Sequence, residues 1–344
     1  MSTRADEATV ASLGERELIR RIRSRVAPSP AWLPVGIGDD AAVVIPARGA
    51  LEVIATDACV EGIHFDPRFS SFHDIGWKAL AVNLSDLASM GAAPRLALLS
   101  LMLPDRLRLE DFDAILDGFF DLASRASVTL AGGNITRSPG PLAVDVTVTG
   151  SVRPRRVLTR AAAEPGHDIY VTGSVGAAAA GLGWLREGAG TSGTPESEGM
   201  AECVARYRRP DPRVRAGMLA GRNRAASAGM DLSDGLADAV RQIAEASGVG
   251  AVLDAASLPI PDAAARWFTA HGQDAVHAAL AGGDDYELLL AVPRRARGRL
   301  ATVVRQSRGV PFTRIGQFTA ARELLVRRDG AAEPLPAGFA HFTR

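Results

Sequence analysis

Lysine is almost missing from this chain: of its 39 lysine and arginine residues only Lys78 is a lysine, and every other basic residue is arginine. Lys78 is followed by Ala79 and no G-x-x-x-x-G-K-[ST] occurs, so a Walker-type phosphate loop is excluded and the strand lysine of a protein kinase is unsupported. Cysteine is nearly as scarce. Cys59 and Cys203 show no C-x-x-C spacing and are too few to staple a chain of 344 residues, which points to a reducing, cytoplasmic setting. Long apolar runs are lacking too: the stretch Leu96 to Leu103, broken by Ser100, falls far short of the roughly 20 residues that cross a bilayer. Met1 to Val10 is polar with charges of both signs, so no secretory signal is expected there. Acidic and basic residues balance at 39 each, which leaves no positive excess to attract nucleic acid or an anionic membrane.

What is present is enough apolar residue, 47%, to fill two cores. The segment Ser151 to Gly166 has little periodicity, and the domain boundary is placed there, giving domains over 1–152 and 153–344. The first reads as a helix at 13–26, strand-like runs at 41–45 and 51–56, a helix over 76–90, a strand at 96–103, a helix at 109–126 and an alternating strand at 142–149. On the 76–90 helix Trp77, Leu80, Ala81, Leu84 and Leu87 form the apolar stripe, with Lys78, Asn83 and Asp86 on a polar edge. The second reads as a strand at 168–172, helices at 174–187, 197–207 and 211–226, and strands at 249–254, 285–292 and 312–318. Gly188 to Gly199, rich in Gly, Ser and Thr, reads as a loop. The fold class is therefore α+β (mixed α/β), two domains with sheets covered by helices.

Six short segments share one design, an acid or amide beside Gly, Ser or Thr at the end of an apolar element. They are GIGDD at 36–40, ATD at 55–57, NLSD at 83–86, GGN at 132–134, MDLSDG at 230–235 and GGDD at 282–285. Any one alone reads as an ordinary turn or helix cap. Together they suggest carboxylates gathered around a divalent cation, and oxygen donors without clustered Cys or His favour magnesium, calcium or manganese over zinc. Magnesium normally takes phosphate oxygens into its shell, so the site reads as one for nucleotide phosphates. Arginine's planar fork can replace lysine on phosphate, and Arg137, after the Gly-Gly-Asn turn, and Arg160 are placed to do so. His64 lies seven residues after Asp57, within reach of the same pocket, whereas His73, His167, His271, His277 and His341 read as surface or core groups. No nucleophile with an adjacent base stands out, so direct transfer between bound substrates is expected rather than a covalent route.

GIGDDAAVV at 36–44, TDACVEGIHF at 56–65, KALAVNLSDLASMGA at 78–92, TRAAAEPGHDIYVTG at 159–173, MDLSDGL at 230–236 and GGDDYELLLAV at 282–292 resemble, in order and over nearly the whole chain, the thiamine-monophosphate kinase family. That family is similar in fold to aminoimidazole ribonucleotide synthetase and selenophosphate synthetase. The resemblance implies N- and C-terminal domains of that type, a homodimer built through the first domain, and an ATP site drawing on elements of both domains. It implies ATP-dependent conversion of thiamine monophosphate to thiamine diphosphate with several Mg²⁺ ions and no phosphoenzyme. At matching positions Asp40, Thr56, Asp57, Asp86, Asn134, Asp231 and Asp234 would hold metal. Gly133, Asn134, Arg160 and Ser233 would hold ATP, and His64, Asp284 and Phe339 would meet the substrate.

The chain departs from the family pattern at Asn134, where an aspartate is common, and at Ala55, where a hydroxyl residue is usual. Asp284 replaces a glutamate, and PLPAGFAHF at 334–342 lacks a tryptophan, leaving Phe339 or Phe342 to stack on the thiamine rings. A relative acting on another acceptor and a nucleotide-binding paralogue without catalysis are the competing readings.

Overall fold

The computed structural model describes residues 8–188 and 198–339, so most of the loop expected over 188–199, together with His341 and Phe342, lies outside the described residues. The described chain divides into two compact units, one of residues up to Leu84 with Pro94–Ser151, the other of Ser85–Ala93 with the residues from Val152 on.

The first unit opens with α1 (Val10–Leu13) and α2 (Glu15–Arg25), followed by β1 (Leu51–Val60), α3 (Phe72–Ser89), whose end from Ser85 on belongs to the second unit, β2 (Ala93–Pro104), α4 (Leu109–Ala126), β3 (Thr129–Ser138) and β4 (Ala143–Val152). The strands form one sheet in the order β1-β4-β2-β3. Val144, Val146 and Val148 on β4 are buried while Asp145 and Thr147 are not, the alternation of a sheet with one face packed. Helix α4 buries Phe112, Ile115, Leu116 and Phe119 at spacings of three and four, as its apolar stripe requires.

Three expectations change. Residues 41–45 form no strand: Val43 makes a single bridge to Val35, and Pro34 and Pro46 on either side supply no N–H to extend the ladder. Gly132 to Asn134 is no turn but the middle of β3, paired in parallel with Leu98 to Ser100 of β2. The supposed polar edge of α3 is inside, with Lys78 3% and Asn83 0% exposed. The cause is the enclosure of α3 on several sides, including an α4 crossing so close that a Cβ added at Gly76 would sit 1.9 Å from the Ile115 carbonyl oxygen. The relation is reciprocal, since a Cβ at Gly118 would sit 1.9 Å from the His73 carbonyl oxygen. Gly76→Ala should therefore force the helices apart and lower stability by about 1–3 kcal/mol, as overpacking does, measured as a shift of the urea midpoint.

The second unit contains β5 (Asp168–Thr172), α5 (Ala177–Arg186), α6 (Glu198–Arg208), α7 (Val214–Arg222), β6 (Ala228–Asp231), α8 (Leu236–Ser247), β7 (Gly250–Asp254), α9 (Asp262–Ala270), α10 (Ala275–Ala281), β8 (Leu288–Val292), α11 (Arg297–Gln306), β9 (Phe312–Thr319), β10 (Leu324–Arg328) and β11 (Ala331–Pro334). Its sheet is mixed, in the order β11-β10-β7-β9-β5-β8-β6, with β5 antiparallel to both β8 and β9 and β10 parallel to β7. The unbroken apolar run of β8 is explained by burial on both faces. Leu289 and Ala291 join the core with Ile169, Val240, Ile243 and Phe318, while Leu288, Leu290 and Val292 join Leu300 and Val303 on the other side.

Candidate functional site

In the first unit the candidate residues stand on three pieces of chain. Asp40 is exposed just after the short Ile37–Asp39 bridge, and its N–H donates to the Asp39 carboxylate. Thr56 and Asp57 are exposed on β1; the Thr56 hydroxyl lies 3.0 Å from that of Thr147 and donates to the Val146 carbonyl. Gly133 and Asn134 are exposed on β3, at the opposite edge of the sheet from β1, with β4 and β2 between. Gly133 is required there, because a Cβ would meet the Leu99 carbonyl oxygen at 1.9 Å. His64 lies in the turn that follows β1, where its Nδ1 accepts from the Val60 N–H at 3.1 Å. Arg137, proposed from sequence for phosphate, pairs with Asp105 at 2.8 Å on the surface.

Two side chains that sequence reasoning placed on the polar edge of α3 are the supports of this region. Asn83 Nδ2 donates to the Asp57 carbonyl at 3.3 Å, and Lys78 Nζ donates to the His64 carbonyl at 3.1 Å. Their place beside NLSD was the available signal, but a helical projection could not tell that this side of α3 is covered.

The second unit draws its candidates much closer together. Asp231 ends β6, is 3% exposed, and accepts from the Ser85 hydroxyl at 2.8 Å, one residue before Asp86 in the last turn of α3. Ser233 and Asp234 form the turn between β6 and α8, so they stand at a helix N-terminus, where backbone N–H groups and the helix dipole favour anions. The Ser233 carbonyl accepts from the Asp284 N–H at 2.8 Å, and the Asp234 carbonyl accepts from the Phe339 N–H at 3.1 Å. Residues read as metal or nucleotide ligands and residues read as acceptor ligands thus hang on one turn. Arg160 is exposed and donates to Gln242 on α8, away from that turn along the helix.

The Asp284 segment is held by Asp285, which sequence reasoning grouped with it as part of the GGDD ligand segment. Asp285 is buried and accepts from the N–H groups of Gly176 at 2.6 Å and Ala178 at 3.0 Å, so a carboxylate from a distant loop caps α5, whose own N-cap is a glycine. Asp284 and Tyr286 on either side adopt positive φ, 68° and 48°, a conformation that asparagine and aspartate tolerate better than most residues. Burial pushes the Asp285 carboxyl up to about 7, against the pull of the two N–H donors and helped by the Glu287 and Asp284 charges. A carboxyl raised from 3.8 stabilises the fold fully below about pH 4 and loses that contribution as the pH climbs through about 7. Asp285→Asn does not titrate, so its stability should fall less between about pH 5 and about pH 8 than the parent's. Urea midpoints at the two pH values decide this, and equal losses would acquit the carboxyl.

The family model of AIR synthase related proteins matches here in both halves, its N-terminal domain over residues 38–152 and its C-terminal domain over 164–328. The chain is a two-domain protein of the AIR synthase related class. The thiamine-monophosphate kinase of Escherichia coli K12 is 43% identical over 334 residues, spanning 96% of this chain and 98% of the relative. A crystal structure of thiamine-monophosphate kinase from Stenotrophomonas maltophilia K279a matches with a TM-score of 0.81 at 40% identity, over 93% of this chain and 98% of that one. The structure of AaThiL complexed with AMPPCP and TMP matches with a TM-score of 0.74 at 27% identity, over 99% of this chain and 100% of that one. This chain belongs to the thiamine-monophosphate kinase family.

Proposed function

We propose that this protein transfers the γ-phosphoryl group of ATP directly to thiamine monophosphate. A phosphate oxygen of the acceptor attacks the γ-phosphorus, the bond to the β–γ bridging oxygen breaks, and thiamine diphosphate and ADP leave. The observation that carries the reading is the shared turn at Ser233 and Asp234, to which both Asp284 and Phe339 are hydrogen bonded. Binding both substrates on one rigid turn converts a meeting of two anions into a fixed approach, the largest advantage a protein can offer when the acceptor is already nucleophilic.

Gly133, Asn134, Arg160 and Ser233 bind ATP in this reading, while His64, Asp284 and Phe339 bind thiamine monophosphate. Asp40, Thr56, Asp57, Asp86, Asn134, Asp231 and Asp234 hold Mg²⁺. Among the described residues no three His, Cys, Asp or Glu side chains gather into a cation site; the proposed donors are all oxygens. Such a set suits magnesium, which takes one or two carboxylates and reaches its site with phosphates and water in its shell. The cation supplies charge that offsets the repulsion between the triphosphate and the acceptor. Residues 1–152 serve as the ATP-, metal- and partner-binding domain and 153–344 complete the ATP and substrate sites.

Exposed Leu51 and Ile54 on β1 and Leu98 on β2 support a homodimer through the first unit's sheet. Both cysteines are free and buried, which suits the cytoplasm, and no helix of the described residues is long and apolar enough to cross a membrane. Pure protein with ATP, Mg²⁺ and thiamine monophosphate should yield thiamine diphosphate. Turnover with a different phosphorylated acceptor, and none with this one, would transfer the assignment to the altered Asp284 and Phe339 positions.

A further inference from the structure

The one lysine of the chain is buried and donates to a backbone oxygen, the His64 carbonyl, 3.1 Å from Nζ. An ammonium group so placed is costly unless its hydrogen bonds serve some arrangement, and in a chain that otherwise uses arginine throughout, the compact ammonium stands at this point. Through that bond it braces the turn carrying His64. The His64 N–H donates to the Val60 carbonyl at 2.9 Å and the Val60 N–H donates to His64 Nδ1 at 3.1 Å, so backbone and ring are both fixed. A ring nitrogen that accepts carries no proton, hence the neutral imidazole keeps its proton on Nε2. Five residues along α3, Asn83 grips the Asp57 carbonyl, so this buried helix anchors the segment 57–64 at both ends.

We propose that Lys78 is a positioning residue for the phosphorylated acceptor: by holding the His64 carbonyl it keeps the imidazole where Nε2–H donates to an oxygen of the acceptor's phosphate. The proposal rests on His64 being an acceptor contact. Lys78 itself touches neither substrate, and its ammonium acts only through the turn.

Steady-state kinetics of Lys78→Met, His64→Gln and the double variant provide the test. Each single variant should raise KM for thiamine monophosphate about tenfold and leave KM for ATP within about twofold, and the double variant should be no worse than the poorer single. A merely structural lysine would disturb both KM values together and add to the His64→Gln defect, and either result overturns the proposal. His64→Gln without effect on the acceptor's KM overturns the reading beneath it, whatever Lys78→Met does.

The parent protein offers a measurement free of folding defects. Lysine labelled with ¹³C at Cε gives one ε-methylene signal, because there is one lysine. Thiamine monophosphate without ATP should shift that signal, and ATP with Mg²⁺ alone should not. A signal unmoved while calorimetry records acceptor uptake overturns the role of Lys78, whereas absence of uptake overturns the acceptor assignment instead.

Discussion

Asp57→Asn and Asp86→Asn should each lower kcat/KM by about a hundredfold or more while leaving the fold intact. Asparagine keeps the shape of the side chain and one neutral oxygen but removes the negative charge that makes a carboxylate a magnesium ligand. Changes at positions that merely support a metal site commonly cost ten- to a hundredfold, and loss of a direct ligand should exceed that. Stability is expected to survive because Asp57 is exposed on β1 and is tied into the fold by its carbonyl, held by Asn83, which the substitution does not touch. Such a surface change is ordinarily within about 0.5 kcal/mol. Asp231→Asn makes an informative contrast: its carboxylate is buried and accepts from Ser85, so activity and stability should both fall. Thiamine diphosphate formation and urea denaturation, measured side by side, separate the two behaviours. Near-normal rates in both Asp57→Asn and Asp86→Asn would move the cation elsewhere.

The largest loss of stability is expected from Arg213→Met, about 3–5 kcal/mol, the usual cost of removing one partner of a buried ion pair. Arg213 and Glu287 are buried, and the guanidinium embraces the carboxylate through both Nε, at 2.6 Å, and Nη2. Glu287 also accepts from the Thr172 hydroxyl at 2.6 Å, and that hydroxyl in turn accepts the Leu288 N–H at 2.8 Å, so the pair is knitted into β5 and β8. Removing Arg213 leaves Arg206, 3.8 Å from Glu287, as poor compensation. Replacing both partners, Arg213→Met with Glu287→Leu, should recover a large part of the loss, because it strands no buried charge: Asp211, which Arg213 also meets, and Arg206 both reach solvent. Additive losses in the double variant would show that packing around the pair, and not the uncompensated carboxylate, sets the cost.

Local signals made some elements readable and hid others. Helix α4 and strand β5 stand at the residues their periodicity indicates, since each has one clear apolar pattern bounded by polar residues. Strand β3 escaped because two glycines and an asparagine look like a turn, while the real demand for Gly133 comes from the Leu99 carbonyl on a neighbouring strand. Strand β11, with four exposed residues, offers no apolar signature at all. The candidate residues were identified by their ordered motifs. What bound them, Ser233 to Asp284 and Asp234 to Phe339, is tertiary hydrogen bonding between segments far apart in the chain. The same applies to Asp285, which looks like half of a ligand doublet and proves to cap α5.

The concealment of Lys78 inside α3 gives the protein a built-in unfolding reporter. A protease specific for lysine can cut this chain at only one peptide bond, Lys78–Ala79, and cannot reach it while the helix is packed. Brief digestion at graded denaturant concentrations would yield just two fragments, and their amount would measure the opened fraction without any dye, label or engineered site.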